Sequence, residues 1–160
     1  MQLYMRQKVF SWKDKFSILD SFGRDKYYVE GKLISLGKKL YIYDSNGKEV
    51  AFVKQKLVTL MPKFTIEIDG KEVAEIVKKI TLFKPKYFVK GLGWEVTGDL
   101  LSHDYTVFNG EVPVVAIHKK WLSWGDAFEL DIPNERDEVI ALAVVLAIDA
   151  VMDAQANASY

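Results

Sequence analysis

The sequence contains no cysteine, which removes disulfides, thiolate nucleophiles and Cys-ligated metals together and accords with a reducing compartment. Histidine is nearly absent as well: His103 and His118 are the only two, and neither sits in a metal-spacing motif, so no metal centre is expected. There is no net charge, because 22 Lys and Arg balance 22 Asp and Glu. Such a balance lacks the footprint of a general nucleic-acid binder, and no specific nucleic acid is expected as a partner. Residues 1–8 lack the apolar core of a signal peptide, so the expected location is cytoplasmic. Phosphate-cradling loops are missing too. The lone pair Gly91 and Gly93 precedes Trp94 with no helix behind it, which reads as a hairpin turn rather than a dinucleotide site, and no cofactor is expected.

What is present is led by one stretch near the C-terminus. Residues 139–148 are ten consecutive apolar residues, preceded by Glu135, Asp137 and Glu138 and followed by Asp149. Four alanines among residues 139–150 favour a helix, and the stretch is too long for an ordinary strand. Asn134, after Pro133, is placed to cap it, and the acidic residues lie where the helix dipole is positive. Apolar residues occupy every face, so the helix must be enclosed on all sides. The apolar run is about half of the roughly 20 residues that a membrane span needs, which points to a protein interior. Ile140, Val144 and Ile148 are expected among the least accessible residues.

Aromatic residues make up 13% of the chain, and residues 1–133 read as short alternating runs broken by turn signals. Asn46-Gly47 and Asp69-Gly70 supply the positive φ angles that tight hairpins need. A weak repeat links these runs. Residues 7–16, 55–64, 78–87 and 119–128 share a pattern of strand ending, turn, and new strand opening on Phe16, Phe64, Tyr87 or Phe128. Residues 29–35 match 96–102 in the same way, and the offset falls from 71 (Gln7 to Lys78) through 67 (Val29 to Val96) to 64 (Lys56 to Lys120). Two similar halves of about six strands each are implied. The expected fold is therefore mainly β with one central helix: a closed antiparallel barrel of about twelve strands around a buried apolar C-terminal helix. The expected limits are a single domain over residues 1–154, a helix over 134–152, and a flexible tail over 155–160.

The set Gln7-Lys8-Val9-Phe10-Ser11-Trp12, Tyr28-Val29-Glu30-Gly31, Gly91-Leu92-Gly93-Trp94-Glu95-Val96-Thr97-Gly98-Asp99, Lys119-Lys120-Trp121-Leu122-Ser123-Trp124-Gly125-Asp126 and residues 141–149 resembles the LURP-one-related (LOR) family. It is similar to the small bacterial single-domain members. The resemblance extends to the Tubby C-terminal-like and phospholipid scramblase superfamily, and it implies a twelve-stranded barrel around a central apolar helix. For function it implies little. LOR proteins have no established activity, whereas Tubby domains bind phosphoinositides and scramblases are lipid-linked. No Tubby phosphoinositide motif and no acidic scramblase calcium segment is matched here.

Three readings of function follow. The first is a non-enzymatic domain, expected as a monomer, that binds anionic phospholipid or phosphoinositide surfaces peripherally. Lys13, Lys15, Lys84, Lys86 and Lys120, interleaved with Trp12, Phe83 and Trp124, would form a basic, aromatic rim if their turns share one end of the barrel. The second is a protein-interaction scaffold, with the same lysines serving as solvated turns and strand-end charges. The third is an enzyme using His103, Asp104 and Asp149, which requires those side chains to converge. Asp149 also stands alone as a question: a carboxylate at the end of a buried run needs a partner or a raised pKa, either as a ligand contact at a barrel mouth or as a structural pair with a Lys, a Trp or a backbone donor.

Overall fold

Strands with one apolar and one polar face close most economically into a barrel, because closure removes both edges and gives the apolar faces a common interior. The computed structural model of the chain describes residues 1–6, 15–34, 37–57 and 63–158. It contains β1 (Gln2–Arg6), β2 (Lys15–Leu19), β3 (Asp25–Ile34), β4 (Gly37–Asp44), β5 (Glu49–Lys56) and β6 (Lys63–Ile68). The second half supplies β7 (Lys71–Lys79), β8 (Lys86–Lys90), β9 (Trp94–Asp99), β10 (Asp104–Asn109), β11 (Val112–Leu122) and β12 (Gly125–Asp131). Each strand pairs antiparallel with the next, and β1 pairs with β12 to close the barrel.

The seams are unequal. The β1–β12 seam runs from Gln2 opposite Asp131 to Arg6 opposite Ala127, whereas among the described residues β1 meets β2 through the single pair Tyr4 and Leu19. Turn chemistry sets the registers: Asp69 and Gly70 both take positive φ between β6 and β7, and Gly47 does so between β4 and β5. The four aromatics that open the repeated pattern, Phe16, Phe64, Tyr87 and Phe128, all point into the core.

After β12 a 3-10 turn (Glu135–Asp137) leads into α1 (Glu138–Ala158). Asn134 caps the turn, its side chain accepting from the Arg136 amide. Every residue from Ala141 to Val151 is buried against the inner face of the barrel. Six of these are large apolar side chains, whose burial contributes on the order of 9–18 kcal/mol. At 21 residues α1 is long and apolar enough to cross a membrane, yet the strands enclose it.

Two expectations are corrected. Val144 and Ile148 are fully buried, but Ile140 is only half-buried, because the first helical turn lies at the barrel mouth rather than at its middle. The helix also runs past Met152 to Ala158, so residues 155–158 are helical and not a flexible tail. Alanine at 154 packs on the core and Gln155 accepts from the Tyr87 hydroxyl at 3.0 Å, which anchors the last turns. Residues 159 and 160 lie outside the described residues.

Candidate functional site

Antiparallel pairing in chain order sorts the connections onto two mouths. α1 starts at one, the N-mouth, where Tyr27 and Lys26 of β3 hold Glu138. It ends at the other, the C-mouth, where Lys38 at the start of β4 pairs with Asp153 at 2.8 Å. The strand ends that flank the four copies of the repeated pattern lie at the C-mouth, because the copies link β1 to β2, β5 to β6, β7 to β8 and β11 to β12.

The two mouths differ in charge although the chain is neutral. Among strand-terminal residues, the C-mouth carries Arg6, Lys15, Lys56, Lys63, Lys79 and Lys86 against Asp99 and Asp104. The N-mouth carries Asp25, Asp44, Glu49 and Asp131 against Lys71 and Lys90. The mouths differ in apolar exposure too. Leu57, Ile80, Leu82, Phe83, Leu101 and Trp121 are exposed at the C-mouth, with Leu82 97% and Phe83 95% accessible. Leu82 and Phe83 form the tip of the β7–β8 turn, which closes on a Thr81 hydroxyl–Lys84 carbonyl hydrogen bond.

Of the residues expected on a basic rim, Trp12 and Lys13 lie outside the described residues. Lys15, Lys84 and Lys86 are exposed at the C-mouth, with no carboxylate in ion-pair contact among the described residues. Lys120 is different. Its ammonium is held by Glu129, a carboxylate buried on the outer face of β12 that also accepts from the Tyr4 hydroxyl at 2.7 Å and lies 3.0 Å from His118 Nε2. Burial works to raise the Glu129 carboxyl, but the Lys120 and Tyr4 hydrogen bonds, with the charges of Lys120 and His118, outweigh it and hold it below its ordinary range. The same surroundings push the Tyr4 phenol up to about 12, burial first and then Glu129. Trp124 is half-buried, edge-on to Tyr4 with ring centroids 6.0 Å apart and beneath the Arg6 guanidinium. Among the described residues the exposed indole at this mouth is Trp121 instead, a residue that no sequence signal separated from Trp124.

Below the rim lies a cavity of about 330 Å³, lined by Met5, Leu100, Leu101, His103, Phe128, Asp149, Met152 and Asp153. An adjoining one of about 410 Å³ shares Leu100, Leu101 and Met152 with it and reaches Lys84. Asp149 is buried, and burial raises its carboxyl above the ordinary value against the opposing pull of His103. His103 Nε2 stands 3.3 Å from Asp149 Oδ1, which accepts no well-formed hydrogen bond. The partner of Asp149 is thus a histidine, and not the Lys, Trp or backbone donor considered as a structural pair. His103 takes a φ of 53° and stacks on Phe128 at 4.2 Å, which fixes the ring. Tyr105, missed by sequence reasoning, lies on the same side with a buried, unbonded hydroxyl, pushed well above its ordinary pKa by burial and by Asp149. Gly98 permits this: a Cβ there would meet the Asp104 carbonyl oxygen at 2.6 Å and Tyr105 Cα at 2.7 Å.

The enzyme reading asked for convergence of His103, Asp104 and Asp149. His103 and Asp149 meet, while exposed Asp104 makes no hydrogen bond or ion pair with either. His118 lies within β11, not at its end, and faces Glu129. Neither histidine is hydrogen-bonded to a Ser or Thr hydroxyl among the described residues, and no group of three metal-ligating side chains occurs among them.

Residues 1–149 match the LURP-one-related family. The chain is 42% identical over 152 residues to the uncharacterized protein YxjI of Bacillus subtilis (strain 168), covering 95% of this chain and 94% of that protein. Its fold is similar to that of an Arabidopsis thaliana protein known from an X-ray structure, with a TM-score of 0.63, 20% identity, and coverage of 93% of this chain and 90% of that one.

Proposed function

We propose that this chain, which belongs to the LURP-one-related family, is a non-enzymatic domain that docks peripherally on anionic phospholipid surfaces, phosphoinositides included, through its C-mouth. The observation that carries this reading is the β7–β8 turn, where Ile80, Leu82 and Phe83 are at least 80% exposed beside Lys84 and Lys86. Three adjacent large apolar side chains in water are costly for a free surface, and each gains on the order of 1.5–3 kcal/mol if fully buried. Each lysine near an anionic surface adds about 1 kcal/mol. The basic C-mouth and acidic N-mouth orient the barrel toward such a surface even though its total charge is zero. The resemblance to lipid-associated Tubby and scramblase proteins supports the same reading, as does a barrel interior filled by the protein's own helix. The cytoplasmic face of a membrane is the corresponding location.

The test is co-sedimentation with phosphatidylcholine vesicles containing graded phosphatidylserine or phosphoinositide, at two salt concentrations. Binding is expected only with anionic lipid, weaker at higher salt because screening shortens the reach of the lysines, and reduced by Leu82→Ser with Phe83→Ser. No binding to any anionic vesicle at low salt discards the lipid reading and leaves the exposed turn as a surface for a protein partner.

A further inference from the structure

We propose that the cavity beside Asp149 binds the ammonium group of a small organic cation carrying a short apolar body. This inference rests on the cavity alone and needs no membrane contact. Asp149 lines the cavity and is 6% exposed, and its enclosed Oδ1, 3.3 Å from His103 Nε2, accepts no well-formed hydrogen bond. A buried carboxylate so weakly satisfied is costly for the fold, and a cationic hydrogen-bond donor is the group that compensates it. Asp153, one helical turn on, lines the same cavity, with its own charge already paired with Lys38 at 2.8 Å.

The rest of the wall selects among cations. Met5, Leu100, Leu101 and Met152 are apolar, and the stacked His103 and Phe128 rings present aromatic surface, which suits an organic ammonium in the manner of aromatic cation recognition. A bare metal ion would need more oxygen or nitrogen ligands, and no such group of three exists among the described residues. Anions are disfavoured by the Asp149 carboxylate, and a neutral apolar molecule would leave Asp149 with His103 alone, 3.3 Å away. The volume, about 330 Å³, lies at the small end of ligand sites. A free alkylamine and the headgroup of an aminophospholipid share this chemistry. The adjoining cavity, which extends to Lys84, has room for the phosphate of the latter.

The experiment is a titration of the full chain, followed by NMR of its methionine methyl groups, with n-butylammonium chloride and with n-butanol as the neutral counterpart of similar shape. Saturable shifts at Met5 and Met152 are expected with butylammonium and not with butanol. Asp149→Asn should weaken binding at least about tenfold, the loss of a charge-assisted hydrogen bond. Leu101→Trp, at a position 81% exposed where folding is not at stake, should block the cavity. Equal response to butanol, or butylammonium binding unchanged in both variants, overturns the proposal. Dihexanoyl phosphatidylethanolamine and dihexanoyl phosphatidylglycerol, used as monomers, separate the sources: tighter binding of the former than of butylammonium assigns the site to a lipid headgroup, and binding of butylammonium alone assigns it to a soluble amine. Lipid docking is read apart from this, because Leu82→Ser with Phe83→Ser leaves the butylammonium response intact.

Discussion

The hydroxyl of Tyr27 in β3 donates to Glu138 Oε1 in the first turn of α1, joining the barrel wall to the helix it encloses. Both residues are buried, and Lys26 Nζ completes the site at 3.0 Å from Oε2. Burial and the Glu138 carboxylate raise the Tyr27 phenol, so the tyrosine stays a donor. Tyr27→Phe removes a hydrogen bond to a buried charge and should cost about 1.5–3 kcal/mol. For a chain of this size that corresponds to a fall in Tm of roughly 3–12 °C by calorimetry. An unchanged Tm would mean that water replaces the hydroxyl at no cost.

At the centre of the helix the interior tolerates no charge. Val145 is fully buried within the apolar core, between Leu142 and Ile148 on the helix. Val145→Asp places an unpaired carboxylate there at a cost of several kcal/mol, against a total stability of about 5–15 kcal/mol. The variant should be lost from the soluble fraction on expression. Recovery of a soluble variant with unchanged circular dichroism would contradict an enclosed helix.

Asp149 gives a pH dependence of definite sign. Its carboxyl is raised in the folded state, by burial first, with His103 opposing. A raised acid favours folding while protonated, so wild-type stability is highest with respect to this group below the ordinary Asp range and is lost as pH rises through the folded value. Asp149→Asn does not titrate. The variant should therefore gain on the wild type as pH increases from about 4 to about 7, in urea denaturation carried out in parallel so that other carboxylates cancel. A difference that is constant over this range would show that Asp149 is compensated by more than His103. A stabilising substitution at a cavity wall is also the usual mark of a position kept for binding rather than for folding.

The barrel was legible in the sequence because its causes are local. Ten apolar residues at 139–148 allow no surface position, Asn46-Gly47 and Asp69-Gly70 set hairpins, and the recurring Phe16, Phe64, Tyr87 and Phe128 mark one inward aromatic per repeat. The site was legible only in part, because its contacts are made by closure. His103 reaches Asp149 across the interior from a turn, and Tyr4 reaches Glu129 across the β1–β12 seam. No spacing along the chain encodes either approach. The helix end was misplaced for a related reason: Gln155 is polar by composition, but the Tyr87 hydroxyl that holds it belongs to β8.

Lys120 and the pair Lys84 and Lys86 look alike in sequence and should separate in experiment. The Lys120 ammonium is engaged by Glu129, whose carboxyl is held below its ordinary range despite burial. Lys120→Met should therefore lower stability by about 1 kcal/mol, after discounting for the solvent screening of a half-exposed side chain. A lowered acid contributes stability above its unfolded pKa and loses it as pH falls through the folded value, so the effect of Lys120→Met should fade as the medium is acidified below the ordinary Glu range. Lys84 and Lys86 have no such partner among the described residues. Their reversal to Glu should leave Tm within error and cut sedimentation with anionic vesicles, whereas Lys120→Met should leave sedimentation nearly unchanged. Equal losses of vesicle binding in the two variants would mean that Lys120 exchanges Glu129 for the lipid, and the contact surface would then extend along the outer face of β11.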